Sequence, residues 1–71
     1  MNEEKITALV ARDNNGDLNV YTDEPYKGNG TWYLEMFNEG RYFAIQRRAF
    51  PQVKWEDEEP TEVELTIKIK K

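Results

Sequence analysis

Chemistry in this chain falls to carboxylates, amines and tyrosines, because the sequence contains neither cysteine nor histidine. Without histidine it lacks the commonest metal ligand and the commonest general base. Without cysteine, disulfides and thiolate metal sites are excluded. The densest group of remaining functional side chains is acidic: Glu56, Asp57, Glu58, Glu59, Glu62 and Glu64 lie within residues 56–64 with no base among them. Such a run could hold a cation, imitate nucleic-acid phosphates toward a basic protein, or keep a loop solvated. Consecutive carboxylates chelate poorly unless a fold makes them converge, and a charge run is most often a solvated face. No metal or cofactor is therefore expected. The patch nevertheless carries the whole charge imbalance, since the chain has a net charge of −4 and the rest of it holds eight acids against ten bases. That concentration makes Glu56, Asp57, Glu58 and Glu59 the first candidates for a protein contact.

A second constellation is aromatic and basic. Trp32, Tyr33, Tyr42 and Phe43, with Arg41, Arg47 and Arg48 nearby, have the composition of a platform that stacks single-stranded bases. Such platforms work inside a basic field, and the acidic net charge argues against nucleic acid as a partner. Strand alternation instead turns Trp32 and Phe43 inward and Tyr33 and Tyr42 outward, which adds these two tyrosines to the candidate contact residues. Trp55 reads either as a binding hot spot or as a plug for one end of a small core, and the plug is favoured because so short a chain needs its large side chains inside. Residues 13–17 (Asp-Asn-Asn-Gly-Asp) do not make a calcium loop: counted from Asp13, glycine falls at the fourth position and Leu18 at the sixth, where an EF-hand needs glycine. A hydrolase built on paired carboxylates needs two acids facing across a cleft. A module of this size leaves little room for one, so no enzyme is expected.

The elements that must position these groups read as strands. In residues 5–12, Ile6, Ala8 and Val10 alternate with Thr7, Leu9 and Ala11, giving two apolar faces. Asn15-Gly16 then marks a hairpin into residues 18–22. Residues 23–30 contain Pro25, Gly28 and Gly30 and read as a loop. Residues 31–37 and 42–47 read as a second hairpin, turning at residues 38–41. Residues 47–52 either extend that strand or make a helical turn before Pro51, and residues 53–59 cross over to Pro60. Residues 61–70 show the cleanest pattern, with Val63, Leu65, Ile67 and Ile69 alternating with polar residues whose charge changes from acidic to basic. The sum is an all-β fold: a five-stranded antiparallel meander forming a bent sheet or a small SH3-like open barrel, with an α+β arrangement carrying one helical turn near residues 47–53 as the alternative.

At 71 residues the chain is a single domain. A domain of this length buries only about 60% of the surface its unfolded chain exposes, so its stability margin is thin. With disulfides excluded, a dense aromatic core and self-association as a homodimer are the expected compensations. Residues 1–7 show no basic stretch leading into an apolar run, and no apolar run reaches the roughly 18 residues of a membrane span. A cytoplasmic protein with no membrane association is expected.

Ala11-Arg12-Asp13, Gly16-Asp17-Leu18 and the stretch Phe-Pro-Gln-Val-Lys-Trp-Glu-Asp-Glu-Glu-Pro-Thr over residues 50–61 resemble a group of small uncharacterised proteins from gut-dwelling bacteria. The resemblance implies a bacterial cytoplasmic or mobile-element origin. No activity attaches to that group, and no functional residue is carried over from it. The reading of function is accordingly a small non-enzymatic β module acting through protein–protein contacts, with a single-stranded nucleic-acid-binding module or an acidic mimic of a basic protein's ligand as alternatives.

Overall fold

Alternating apolar residues over ten positions at the start of the chain and eight near its end supply two long strands, and these pair with each other. A computed structural model describes residues 3–35 and 40–69. Its elements are β1 (Glu3–Arg12), β2 (Leu18–Tyr21), β3 (Tyr26–Lys27), β4 (Trp32–Tyr33), β5 (Tyr42–Ile45) and β6 (Thr61–Lys68), with no helix among the described residues. Four strands form one antiparallel sheet in the order β5-β2-β1-β6, and β3 and β4 form a separate antiparallel pair. The sheet stays open, with β5 and β6 at its edges.

Register follows the apolar pattern, because a slip of one residue would turn every side chain to the opposite face. Ile6 stands opposite Leu65 and Ala8 opposite Val63, so the apolar sets of β1 and β6 coincide. The turn from β1 to β2 spans residues 13–17. The Asp13 N–H donates to the Asp17 carbonyl at 2.8 Å and the Gly16 N–H to the Asp13 carbonyl at 2.9 Å. Only Gly16 there has a left-handed φ, +98°, so the hairpin closes through a longer loop ending in glycine, not the two-residue Asn-Gly turn that the dipeptide suggests.

Both faces of β1 are covered from Ala8 onward. On one face Ala8, Val10, Leu18, Val20 and Val53 form a cluster flanked by Ile45, Ala49, Val63 and Leu65. On the other, Ala11, Tyr21 and Trp32 are buried together against Leu9, Leu34 and Trp55. The first face is roofed by residues 46–53, the second by the β3–β4 hairpin and Trp55. Burying Val10, Leu18, Val20 and Val53 on this first face, at about 1.5–3 kcal/mol each, contributes most of the apolar stabilisation beneath its roof.

A polar device completes it. Arg12 ends β1 on the same side as Ile6, Ala8 and Val10, and its guanidinium donates only to backbone carbonyls. Nε–H donates to Val53 at 2.7 Å, one terminal nitrogen to Gly16 and Arg47 at 2.8 Å each, and the other to Ala49 at 2.9 Å and Phe50 at 3.2 Å. Five donors meet five acceptors, the full capacity of the group. The roof therefore needs no helix. It makes two successive turns, closed by Ala49 N–H to the Gln46 carbonyl at 3.0 Å and Val53 N–H to the Phe50 carbonyl at 2.9 Å, with Phe50 at φ +49° between them.

Several strand-level expectations change. Residues 31–37 and 42–47 do not pair as a second hairpin. β4 pairs with β3, inside the stretch expected to be a loop, while β5 pairs with β2. The connectivity is consequently not a simple meander, and six short and long strands replace five. Residues 36–39, including most of the expected turn, lie outside the described residues, as do Lys70 and Lys71. Phe43, expected inward, is 48% exposed, because it sits in edge strand β5 opposite Val20 and beyond the roof. Ile67 and Ile69, expected buried, are 52% and 60% exposed, because the roof ends over Val63 and Leu65.

Candidate protein-contact site

The acidic crossing is positioned by the small β3–β4 hairpin, which is itself tied to the first turn. Gly28 N–H donates to the Thr31 carbonyl at 2.8 Å, closing the hairpin, and Asn14 N–H donates to the Gly30 carbonyl at 3.1 Å. The Trp32 backbone N–H donates to an Asp13 carboxylate oxygen at 2.8 Å, and its indole Nε1–H to the Arg12 carbonyl at 3.1 Å. Every polar group of the buried Trp32 side chain is thus satisfied, as burial demands.

In a two-residue strand pair, alternate residues take opposite faces. Lys27 stands opposite Trp32 and Tyr26 opposite Tyr33, so the first pair turns toward the crossing and the second turns away. The Lys27 ammonium lies 4.3 Å from the Trp55 ring centroid and 5.8 Å from that of Trp32. It donates to the carbonyls of Trp55 and of Asp57, the latter at 2.9 Å. Trp55 therefore acts less as the plug of a barrel, which the open sheet does not require, than as the seat of a cation. Cation–aromatic contacts of this kind are worth about 0.5–2 kcal/mol.

Asp57 closes the turn that follows. Its N–H donates to the Lys54 carbonyl at 3.1 Å, and its carboxylate accepts from the Lys54 N–H at 3.0 Å. Of the four acids expected to form a contact, Asp57 is thus half-buried and committed to local structure. Glu56, Glu58 and Glu59 are exposed, and no ion pair among the described residues involves them; the one ion pair found there joins Arg47 to Asp17 at 3.5 Å. Glu62 and Glu64 lie farther on, exposed on the outer face of β6.

The two candidate tyrosines are separated. Tyr33 is 48% exposed and its ring lies 6.1 Å from Tyr26 on the outer face of the hairpin. Tyr42 is in β5 of the larger sheet, stacked on Tyr21 at 5.5 Å. Burial, with a smaller contribution from the Asp13 charge, pushes the Tyr21 hydroxyl up from 10.0 to about 12. Of the aromatic and basic constellation, Tyr33 and Tyr42 belong to different sheets, and Arg47 turns back onto Asp17 and the Asn15 carbonyl.

Among the described residues no three acids converge to hold a metal ion, and no helix is long and apolar enough to cross a membrane. Lys27 and Arg12 organise the site, and neither stood out in the sequence. Arg12 did leave a signal, since it shares the inward parity of Ile6, Ala8 and Val10. Lys27 left almost none, being one lysine in a stretch dense with turn residues.

Comparison with protein-family profiles, with curated proteins and with solved structures finds no match. The geometry by itself defines a class: a small open antiparallel β domain that displays an ordered acidic crossing.

Proposed function

We propose that the domain is a non-enzymatic β module acting through protein–protein contacts, and that its principal contact is the acidic crossing, presented to a basic protein surface. The observation that carries this reading is the clamp of Lys27 on Trp55 and Asp57. A solvated charge run has no need of a fixed path, whereas here the backbone is held on both sides of Glu56 while Glu56, Glu58 and Glu59 form no ion pair among the described residues. Ordering a segment before it binds removes part of the entropic cost of association. Displayed carboxylates then raise the rate and selectivity of encounter with a positive surface.

The test is affinity capture from the native lysate with the wild-type domain and with a Glu56→Gln, Glu58→Gln, Glu59→Gln variant. The wild type is expected to recover a defined set of proteins with basic surfaces, and the variant to lose them. A variant that is folded and recovers the same set at the same level overturns the reading.

A further inference from the structure

The sheet is left uncovered at both edges, and the corner formed by β1 and β6 exposes two aliphatic side chains, Ile6 and Ile67. Among the described residues β6 is an edge strand, paired with β1 on one side only. On the roofed face the register places Ile6 beside Leu65 and Glu4 beside Ile67; Leu65 still packs against the core, whereas Ile6 and Ile67 lie at the margin of the roof. Ile6 is 40% exposed and Ile67 52% exposed there. The other face of β6 carries Glu62, Glu64, Thr66 and Lys68, all exposed. An edge with unpaired backbone groups and apolar side chains is a template for another strand, and the order of its charges indicates which strand fits.

We propose that β6 pairs with β6 of a second copy of this chain, antiparallel about a two-fold axis at Leu65, joining two four-stranded sheets into one of eight strands. Antiparallel self-pairing sets the start of one strand against the end of the other. With Leu65 facing itself, Glu62 falls opposite Lys68 of the second copy, Val63 opposite Ile67, and Glu64 opposite Thr66 with Lys68 on the diagonal. Opposite charges directly across an antiparallel pair are favourable, and like charges are not. A strand acidic throughout or basic throughout would repel itself in this arrangement. One that runs from acid to base complements itself, and Val63, Leu65 and Ile67 each meet an apolar residue, while Ile69, just past the strand, falls opposite Thr61. The two-fold axis stands perpendicular to the sheet, so the Ile6, Leu65 and Ile67 corners of the two copies merge into a continuous stripe. The surface is isologous, as closed dimers require. It uses neither Glu56, Glu58 nor Glu59, so it stands or falls independently of the acidic-crossing reading.

Charge reversal and light scattering test it. The wild-type chain is expected to be a dimer at tens of micromolar. Glu62→Lys and Lys68→Glu, each alone, place like charges opposite and are expected to weaken dimerisation at least tenfold. An equimolar mixture of the two variants restores both opposite-charge pairs and is expected to dimerise as the wild type does. A wild type that stays monomeric up to about 1 mM, where even weak specific interfaces associate, overturns the proposal. So do folded reversal variants that dimerise at wild-type strength, or a mixture that remains monomeric. Because the chain has no cysteine, single-cysteine variants give an independent reading. Leu65→Cys, on the axis, is expected to form a disulfide-linked dimer on mild oxidation, since facing residues in an antiparallel pair lie within disulfide reach. Thr61→Cys, far from the axis, is expected not to. Equal crosslinking at both positions contradicts the register.

Discussion

The Nε–H of Arg12 donates to the carbonyl of Val53 at 2.7 Å, across 41 positions of sequence. This bond fixes the end of β1 to the last residue of the roof over the main core cluster, and it is one of five that the same guanidinium makes to carbonyls. Arg12→Lys is expected to destabilise the fold by about 2–3 kcal/mol, because one ammonium cannot reach acceptors spread over Gly16, Arg47, Ala49, Phe50 and Val53, and the part-buried carbonyls of Gly16, Ala49 and Val53 would lose donors. Urea unfolding measures it. A lysine variant as stable as the wild type would show that the roof is held by apolar packing alone.

Gly16→Ala is expected to cost about 1–2 kcal/mol, since the position has φ +98° and only glycine adopts that conformation without strain. The added Cβ would also collide with an Arg47 terminal nitrogen. That side chain is flexible and can move, so the backbone term should dominate. Thermal melting of Gly16→Ala alongside Gly16→Ala, Arg47→Ala separates the two: similar losses in both variants identify the backbone as the cause.

Tyr21 gives the fold an alkaline limit. Its hydroxyl is raised from 10.0 to about 12 in the folded chain, first by burial and then by Asp13. The neutral form is therefore the one the fold prefers. The stabilisation is fully present below the unfolded value near 10 and is lost as pH climbs through the folded value near 12. Linkage puts the loss on the order of 2 kcal/mol. Urea midpoints followed from pH 9 to 12, as checked by tyrosinate absorbance, should fall more steeply for the wild type than for Tyr21→Phe. Parallel curves would contradict the assignment.

How far the chain could be read in advance depended on the range of each interaction. β1, β2 and β6 were legible because alternation is a local signal, and the match of Ile6 with Leu65 and Ala8 with Val63 leaves one good register. β3 was not, because a two-residue strand such as Tyr26–Lys27 carries no period; β4 falls within the strand expected over residues 31–37, but its pairing with β3 was not legible, since it depends on Asp13 capturing the Trp32 N–H from the first turn. The placement of β5 beside β2 misled for a related reason: sequence neighbours usually pair, but here β4 is drawn away to cover Tyr21 and Ala11. The acidic crossing was visible as composition. What composition could not supply was its order, which comes from Lys27 at a distance of 28 and 30 positions. Phe43 and Ile67 were expected inside on parity alone, and parity names a face without saying how far a roof extends over it.

Lys27→Met keeps an apolar stem of similar length over Trp55 but removes the donors to the Trp55 and Asp57 carbonyls. It is expected to leave the sheet intact, with a stability loss of about 1–2 kcal/mol from the lost hydrogen bonds and cation–aromatic contact. Amide exchange at residues 55–58 should quicken while exchange in β1 and β2 stays slow. Unchanged protection at residues 55–58 would mean that the crossing holds its path without the clamp.

The most direct test of the central claim compares three proteins in one capture experiment: the wild type, the Glu56→Gln, Glu58→Gln, Glu59→Gln variant, and Lys27→Met. Because those glutamates form no ion pair among the described residues, the triple variant is expected to melt within about 0.5 kcal/mol of the wild type while losing its bound proteins. Lys27→Met, with all acids present but the crossing released, is expected to bind them more weakly than the wild type. Full capture by the folded triple variant would contradict the account.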